Sequence, residues 1–228
     1  MEESWGWSML AAVIAGVVLG IVGNSVATDS RKSISVYLIR RCPQQHDCLP
    51  PGVVQGMKDE TSKVLSLFDV RIDWIDPRDA STSTIDVTVF LEEGGEPPPH
   101  PVSKHGGVVL AELNLPSAPC ATGMAQLWVT QARLYAASLS SAPPFPTLPE
   151  RNDLLLSRAL GRALAHEIGH YLLGTPRHTS RGLMRANFFP LELLEPATRW
   201  RYGLGKADRQ ALRACRPVAT ASTGASVR

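Results

Sequence analysis

His166, Glu167 and His170 fall in the run AHEIGHYLLGTPRH, residues 165–178, and their types and spacing could do hydrolytic chemistry on a bound metal ion. Two histidines four apart project from one side of a helix, so a single ion can be shared by their imidazole nitrogens. Glu167 lies one step round, placed to meet a water on that ion rather than the ion itself. A third imidazole, His178, follows Gly174 and Pro176. The glycine can take the left-handed conformation that ends a helix, and the proline prevents continuation. The chain must therefore turn sharply just past the histidines, which lets His178 return to the ion.

The helix that would position these groups reads from Asn152 as N-cap, with Asp153 in the first turn where a carboxylate meets the positive end of the helix dipole. Leu155, Leu156, Ala159, Leu160, Ala163 and Leu164 recur at steps of three and four, giving one apolar face for a core. Upstream, SISVYLIR (33–40), VRIDWI (70–75), TIDVTVFL (84–91), VVLAEL (108–113) and AQLWVTQARL (125–134) read as strands. PGVVQGMKDETSKVLSLF (51–68) reads as an amphipathic helix with a proline near its start. Proline and glycine disfavour either element in EEGGEPPPHPVSKHGG (92–107), which reads as a surface loop, and SAPPFPTLP (141–149) reads as a connector. Alternating strands and helices predict an α/β class.

A chain of 228 residues is long enough for one well-buried domain, and a formal net charge of +2 with scattered Lys and Arg gives no basic stripe. No nucleic-acid partner is expected. From Ser4 to Thr28 there is no charge, and SMLAAVIAGVVLGIVGNSVA has the composition of a signal-peptide core or a membrane helix. Glu2 and Glu3 precede it while Arg31, Lys32, Arg40 and Arg41 follow it, which is the reverse of the usual charge order. The expectation is an exported chain, secreted, periplasmic or attached to a membrane through this segment. Residues 1–32 then form the leader or anchor, 33–215 the folded domain, and 216–228 a polar, disordered tail. Cys42, Cys48, Cys120 and Cys215 include no CxxC pair. In an exported protein they are expected to form two disulfides, Cys42 with Cys48 across a short loop and Cys120 with Cys215. His46, His100 and His105 sit in loop-like stretches and read as solvated.

These residues resemble the metzincin zinc endopeptidases, and within them the matrixins. In the metzincin pattern HExxHxxGxxH the glycine and third histidine would fall at Leu173 and Pro176, whereas this chain has Gly174 and His178. HTSRGLM (178–184) is similar to the matrixin run from the third histidine to the methionine of the Met-turn, and the distance from His170 to Met184 matches the family's. GGVVLAELNLP (106–116) is similar to the matrixin stretch GGVLAHAFFP, an edge strand that pairs with extended substrate. Leu110, Ala111 and Pro116 match in place. Glu112 stands where that family has a histidine for a second, structural zinc, so that zinc is not expected here. YGLGKADRQALRAC (202–215) is similar to the family's last helix. RRCPQQHDC (40–48) lies between the first strand and the first helix, so its cysteines read as structural rather than as the family's zinc-blocking cysteine.

The resemblance implies a zincin-like fold: a mixed, mostly parallel twisted sheet with an antiparallel edge strand, a backing helix, the HExxH helix and a C-terminal helix. It implies one catalytic Zn2+ held by His166, His170 and His178, with Glu167 as general base in hydrolysis of a protein or peptide substrate. Met184 would pack beneath the ion, and Val109, Leu110, Ala111 and Glu112 would form the substrate edge strand.

Three other readings stay open. Glu192 or Glu195 in PLELLEP could be the third ligand, as in gluzincins. A fourth protein ligand, Tyr202 or an acidic residue, could close a purely structural zinc site. The chain could also be a non-catalytic exported zinc-binding domain, and the presence of Glu167 counts against that.

Overall fold

Alternating apolar residues set the sheet. Ile34 and Val36 on β1 (Lys32–Arg41), Val87, Val89 and Leu91 on β3 (Val87–Glu92), and Ala125 and Leu127 on β5 (Gly123–Trp128) are all buried. With β2 (Val70–Ile75) and β4 (Ala111–Asn114) these strands form one five-stranded sheet in the order β2-β1-β3-β5-β4. Every pairing is parallel except that of β4 with β5, so the sheet is mixed with an antiparallel edge strand. These features come from a computed structural model that describes residues 32–42, 48–94, 108–116, 121–140, 149–188, 190–194 and 201–214.

The chain divides into two units, Met1–Ser30 and Arg31–Arg228. The first unit, and with it the expected leader or anchor, lies outside the described residues, as do the tail 216–228, the proposed Cys120–Cys215 pair, His46, His100, His105 and Glu195. Among the described residues no helix is long and apolar enough to cross a membrane. The expected Cys42–Cys48 disulfide is present, with Cα atoms 5.6 Å apart.

Among the described residues five α-helices accompany the sheet: α1 (Pro51–Leu65), α2 (Val129–Ser140), α3 (Pro149–Leu173), α4 (Pro190–Leu194) and α5 (Lys206–Ala214). The main helix pair is α1 against α3. Val53, Met57 and Val64 from the first and Leu156, Leu160 and Leu164 from the second are buried in the shared core. The Thr61 hydroxyl proton is shared between the Met57 carbonyl of its own helix at 2.8 Å and the Gly161 carbonyl of α3 at 3.1 Å, and that of Ser157 between the Asp153 carbonyl at 2.7 Å and the Val53 carbonyl of α1 at 3.2 Å. Arg162 is fully buried and donates from Nε to Glu60 Oε1 at 2.7 Å, so an ion pair also spans the two helices.

Several sequence expectations are corrected. The strand expected over 125–134 stops at Trp128, because the apolar period changes there: Val129, Ala132 and Ala136 are buried at helical steps, and they begin α2. The edge strand expected over 108–113 is Ala111–Asn114, so Val109 and Leu110 precede it, although the Leu110 carbonyl already accepts the Trp128 N–H at 3.0 Å. The motif helix begins at Pro149 rather than being capped by Asn152, a start that proline's fixed φ and missing donor favour. The first helix leaves α geometry after Leu65 for a tighter 3₁₀ turn, Ser66–Phe68, which Asp69 closes at φ 60°.

Candidate metal centre

The site is built at the C-terminal end of α3. His166 and His170, one turn apart, are both buried on the helix face that looks toward residues 178–184. The helix then stops at Gly174, whose φ of +59° glycine adopts without strain. Two bonds close the end: the Gly174 N–H donates to the Tyr171 carbonyl at 3.2 Å and the Thr175 N–H to the His170 carbonyl at 3.3 Å, the Schellman pattern. This turn answers the spacing question raised by the sequence. It brings His178 back over the helix end, with its Nε2 3.3 Å from that of His166, while His170 Nε2 lies 3.0 Å from His166 Nε2.

Backbone carbonyls orient two of the rings. His166 Nδ1 donates to the Leu183 carbonyl at 2.6 Å, and His170 Nδ1 donates to the Thr175 carbonyl at 2.8 Å. With those protons on Nδ1, the Nε2 atoms of both rings present lone pairs to each other. Two acceptors at 3.0 Å repel unless a cation lies between them. Nitrogens about 2.0–2.1 Å from a tetrahedral zinc stand roughly 3.3–3.4 Å apart, close to the observed spacings. The donor set thus fits a metal ion such as zinc, and the three ligand atoms lie within 4.8 Å of one another. No carboxylate or thiol of the described residues joins them within that distance. His178 is exposed, so the centre is open to solvent on that side.

Electrostatics agree with a cation site. Burial pushes the His166 imidazole down to about 3, with repulsion from His170 and His178 adding to it against the Leu183 carbonyl. His170 is lowered as well, first by burial. Neutral imidazoles are the form a metal requires. Glu167 is buried, and in the metal-free chain that burial, helped by the Glu112 carboxylate, pushes its carboxyl up to about 8. The Leu113 N–H, which donates to it, pulls the other way. A dication nearby would favour the carboxylate form.

Met184 is buried under the helix, against Gly169. Its carbonyl accepts the Thr179 N–H at 2.7 Å, closing the loop that returns from His178. Of the edge-strand residues, Ala111 and Glu112 lie in β4, and Val109 and Leu110 lie just before it. Glu192 is not a metal ligand in this arrangement. Its carboxylate is held by Arg185 at 2.5 Å and Arg201 at 3.0 Å. Tyr202 is committed too, donating its hydroxyl to the Glu192 carbonyl at 2.7 Å.

Five contributors were not read from the sequence. The carbonyls of Leu183 and Thr175 and the N–H of Leu113 are backbone groups, invisible in residue type. Phe188 stands edge-on to His166 with ring centroids 5.8 Å apart and stacks on Tyr202 at 5.4 Å, walling one side of the centre. Gly169 had a readable signal, an interior helix glycine between the two histidines, because a Cβ there would lie 2.5 Å from Met184 Sδ.

No protein-family model matches this chain, and no curated protein matches it. Among solved structures, it is similar to that of archaemetzincin from Methanopyrus kandleri, at 14% identity and a TM-score of 0.42, with 83% of this chain and 97% of that chain covered. At that level of similarity, the geometry of the three imidazoles carries the functional reading rather than the relative.

Proposed function

We propose that this chain is a zinc-dependent endopeptidase in which His166, His170 and His178 hold one zinc ion and Glu167 is the general base. The observation that carries the reading is the convergence of three imidazole Nε2 atoms on an open centre, with two of the rings fixed by backbone carbonyls. When bound there, zinc supplies Lewis acidity, lowering the pKa of water and stabilising negative charge on a carbonyl oxygen. Glu167, next to His166 on the same helix, would take a proton from the attacking water and return it to the departing amine. The Leu113 N–H, aimed at Glu167 from β4, aligns that carboxylate. Among the described residues β4 is the outermost strand, an edge at which an extended peptide can add by backbone pairing. Met184 would support the ligand-bearing turn from beneath.

Protein or peptide is therefore the substrate class. The engaged state of Glu192 and Tyr202 disfavours both a glutamate third ligand at 192 and closure by a fourth ligand at 202. For export, the support is the uncharged apolar run from Ser4 to Thr28 together with the Cys42–Cys48 disulfide.

The test is hydrolysis of a mixed peptide library by zinc-loaded protein. Cleavage that a chelator abolishes, that added zinc restores and that Glu167→Gln lacks is the expected result. Cleavage indifferent to chelator and to Glu167→Gln would overturn the assignment.

A further inference from the structure

The edge strand carries a charge that the proposed chemistry does not use. In β4 the Leu110–Trp128 bond fixes which backbone groups face β5: residues 110, 112 and 114 point inward to the pairing, and Ala111 and Leu113 point outward. The Leu113 N–H confirms this by reaching Glu167 on α3. The Ala111 N–H and C=O thus point away from β5, toward an incoming strand.

Side chains alternate across the same strand. Leu113 lies on the helix-covered face, since a Cβ added at its neighbour Gly123 would meet both Leu113 Cδ1 and the Tyr171 ring of α3. Glu112 therefore projects from the opposite face. There it is exposed, directly paired across β5 with Gln126 and beside the exposed Met124. Among the described residues no cation pairs with it. Arg41, which the register places on the same face further in, on β1, is stacked on Phe90 at 3.9 Å and bound to Glu92 at 2.9 Å.

We propose that Glu112 is a specificity-determining residue that favours a basic side chain, Lys or Arg, on the substrate strand that adds beside β4. The inference rests on the peptidase reading, because it takes the peptide to lie along this edge. A residue opposite Glu112 in an added antiparallel strand occupies a non-hydrogen-bonded pair, the closer kind, with Cα atoms about 4.5 Å apart. Side chains there meet on one face, and opposite charges attract while like charges repel. An acidic residue in that place is disfavoured by the same carboxylate.

The experiment uses the zinc-loaded full chain and a peptide set that is cleaved by it, with Lys, Gln or Glu scanned through each position flanking the scissile bond. At one position the wild type should show kcat/KM about two- to fivefold higher for Lys than for Gln, from the usual size of a cross-strand charge pair. Glu should be the poorest there, and the preference should shrink at high salt. Glu112→Gln should flatten the series and Glu112→Lys should invert it. The same order of preference in wild type and Glu112→Lys would overturn the proposal while leaving the peptidase reading intact. If the zinc-loaded wild type cleaves no peptide, the peptidase reading fails separately, and binding of the same peptides is followed by fluorescence anisotropy. A Lys preference that Glu112→Lys reverses would then support the edge-strand charge, and no preference would overturn it.

Discussion

Gly169 lies directly against the sulfur of Met184: a Cβ at position 169 would sit 2.5 Å from Sδ and 3.4 Å from the Met184 methyl carbon. The helix turn between His166 and His170 thus rests on the methionine without a side chain between them. Gly169→Ala must push Met184 and its neighbour Leu183 away, and the Leu183 carbonyl is what holds His166 Nδ1. Overpacking of this kind costs about 1–3 kcal/mol. The loss of ligand orientation should lower zinc affinity about 10- to 100-fold. Urea denaturation and competition with a zinc-binding dye check the two parts. A variant with native zinc affinity would contradict the coupling.

The end of α3 makes a second prediction. Gly174→Ala forces a side chain into the left-handed region, at about 1–2 kcal/mol. The same turn places the Thr175 carbonyl on His170 Nδ1 and starts the path to His178. Zinc affinity should therefore fall with stability, whereas Gly174→Asn, which tolerates this conformation, should recover most of both.

Of the site, the local part was legible in the sequence. His166, Glu167 and His170 share one helix, so spacing alone places them, and the glycine–proline stop predicts the turn that returns His178. The long-range part was not. Nothing local reveals that Leu183 and Thr175 carbonyls will meet the ring nitrogens, or that Leu113 on an edge strand will meet Glu167. The fold was read in the same uneven way. The parallel strands were found from their alternation, but AQLWVTQARL hides its change of period at Val129, where a β-branched residue both ends the strand pattern and begins a helix. Asn152 looked like a cap only because the sequence does not show that the helix already starts at Pro149.

The buried Arg162–Glu60 pair joins α3 to α1 one turn before His166. Arg162→Met would remove this cation from the Glu60 carboxylate, which is 3% exposed in the core. Removing one partner of such a pair typically costs about 3–5 kcal/mol, so the single variant should unfold at much lower urea. The double replacement Glu60→Leu with Arg162→Met should recover a large part of that loss. A single variant as stable as the wild type would show that the pair contributes nothing to holding the helices.

Alkaline pH should weaken the packing behind the centre. Burial, aided by the Glu192 charge, raises Tyr135 to about 12, and burial raises Tyr202 to about 12 against the opposing Arg162. A folded-state pKa above the ordinary 10.0 means that the folded chain favours the protonated phenol. That stability is fully present below pH 10 and is lost as pH rises through 12. Thermal unfolding midpoints should therefore fall across this window. Tyr202→Phe should fall less steeply there, although it starts lower by about 1 kcal/mol for the lost bond to the Glu192 carbonyl. Equal slopes in the two proteins would contradict the assignment.

The central claim is that three imidazoles hold the zinc while Glu167 does chemistry without holding it. Zinc content and peptide hydrolysis, measured together on wild type, Glu167→Gln and His178→Ala, test it most directly. One zinc per chain is expected in wild type and Glu167→Gln with hydrolysis only in the former, and greatly weakened zinc binding in His178→Ala. Full zinc retention by His178→Ala, or undiminished hydrolysis by Glu167→Gln, would contradict it.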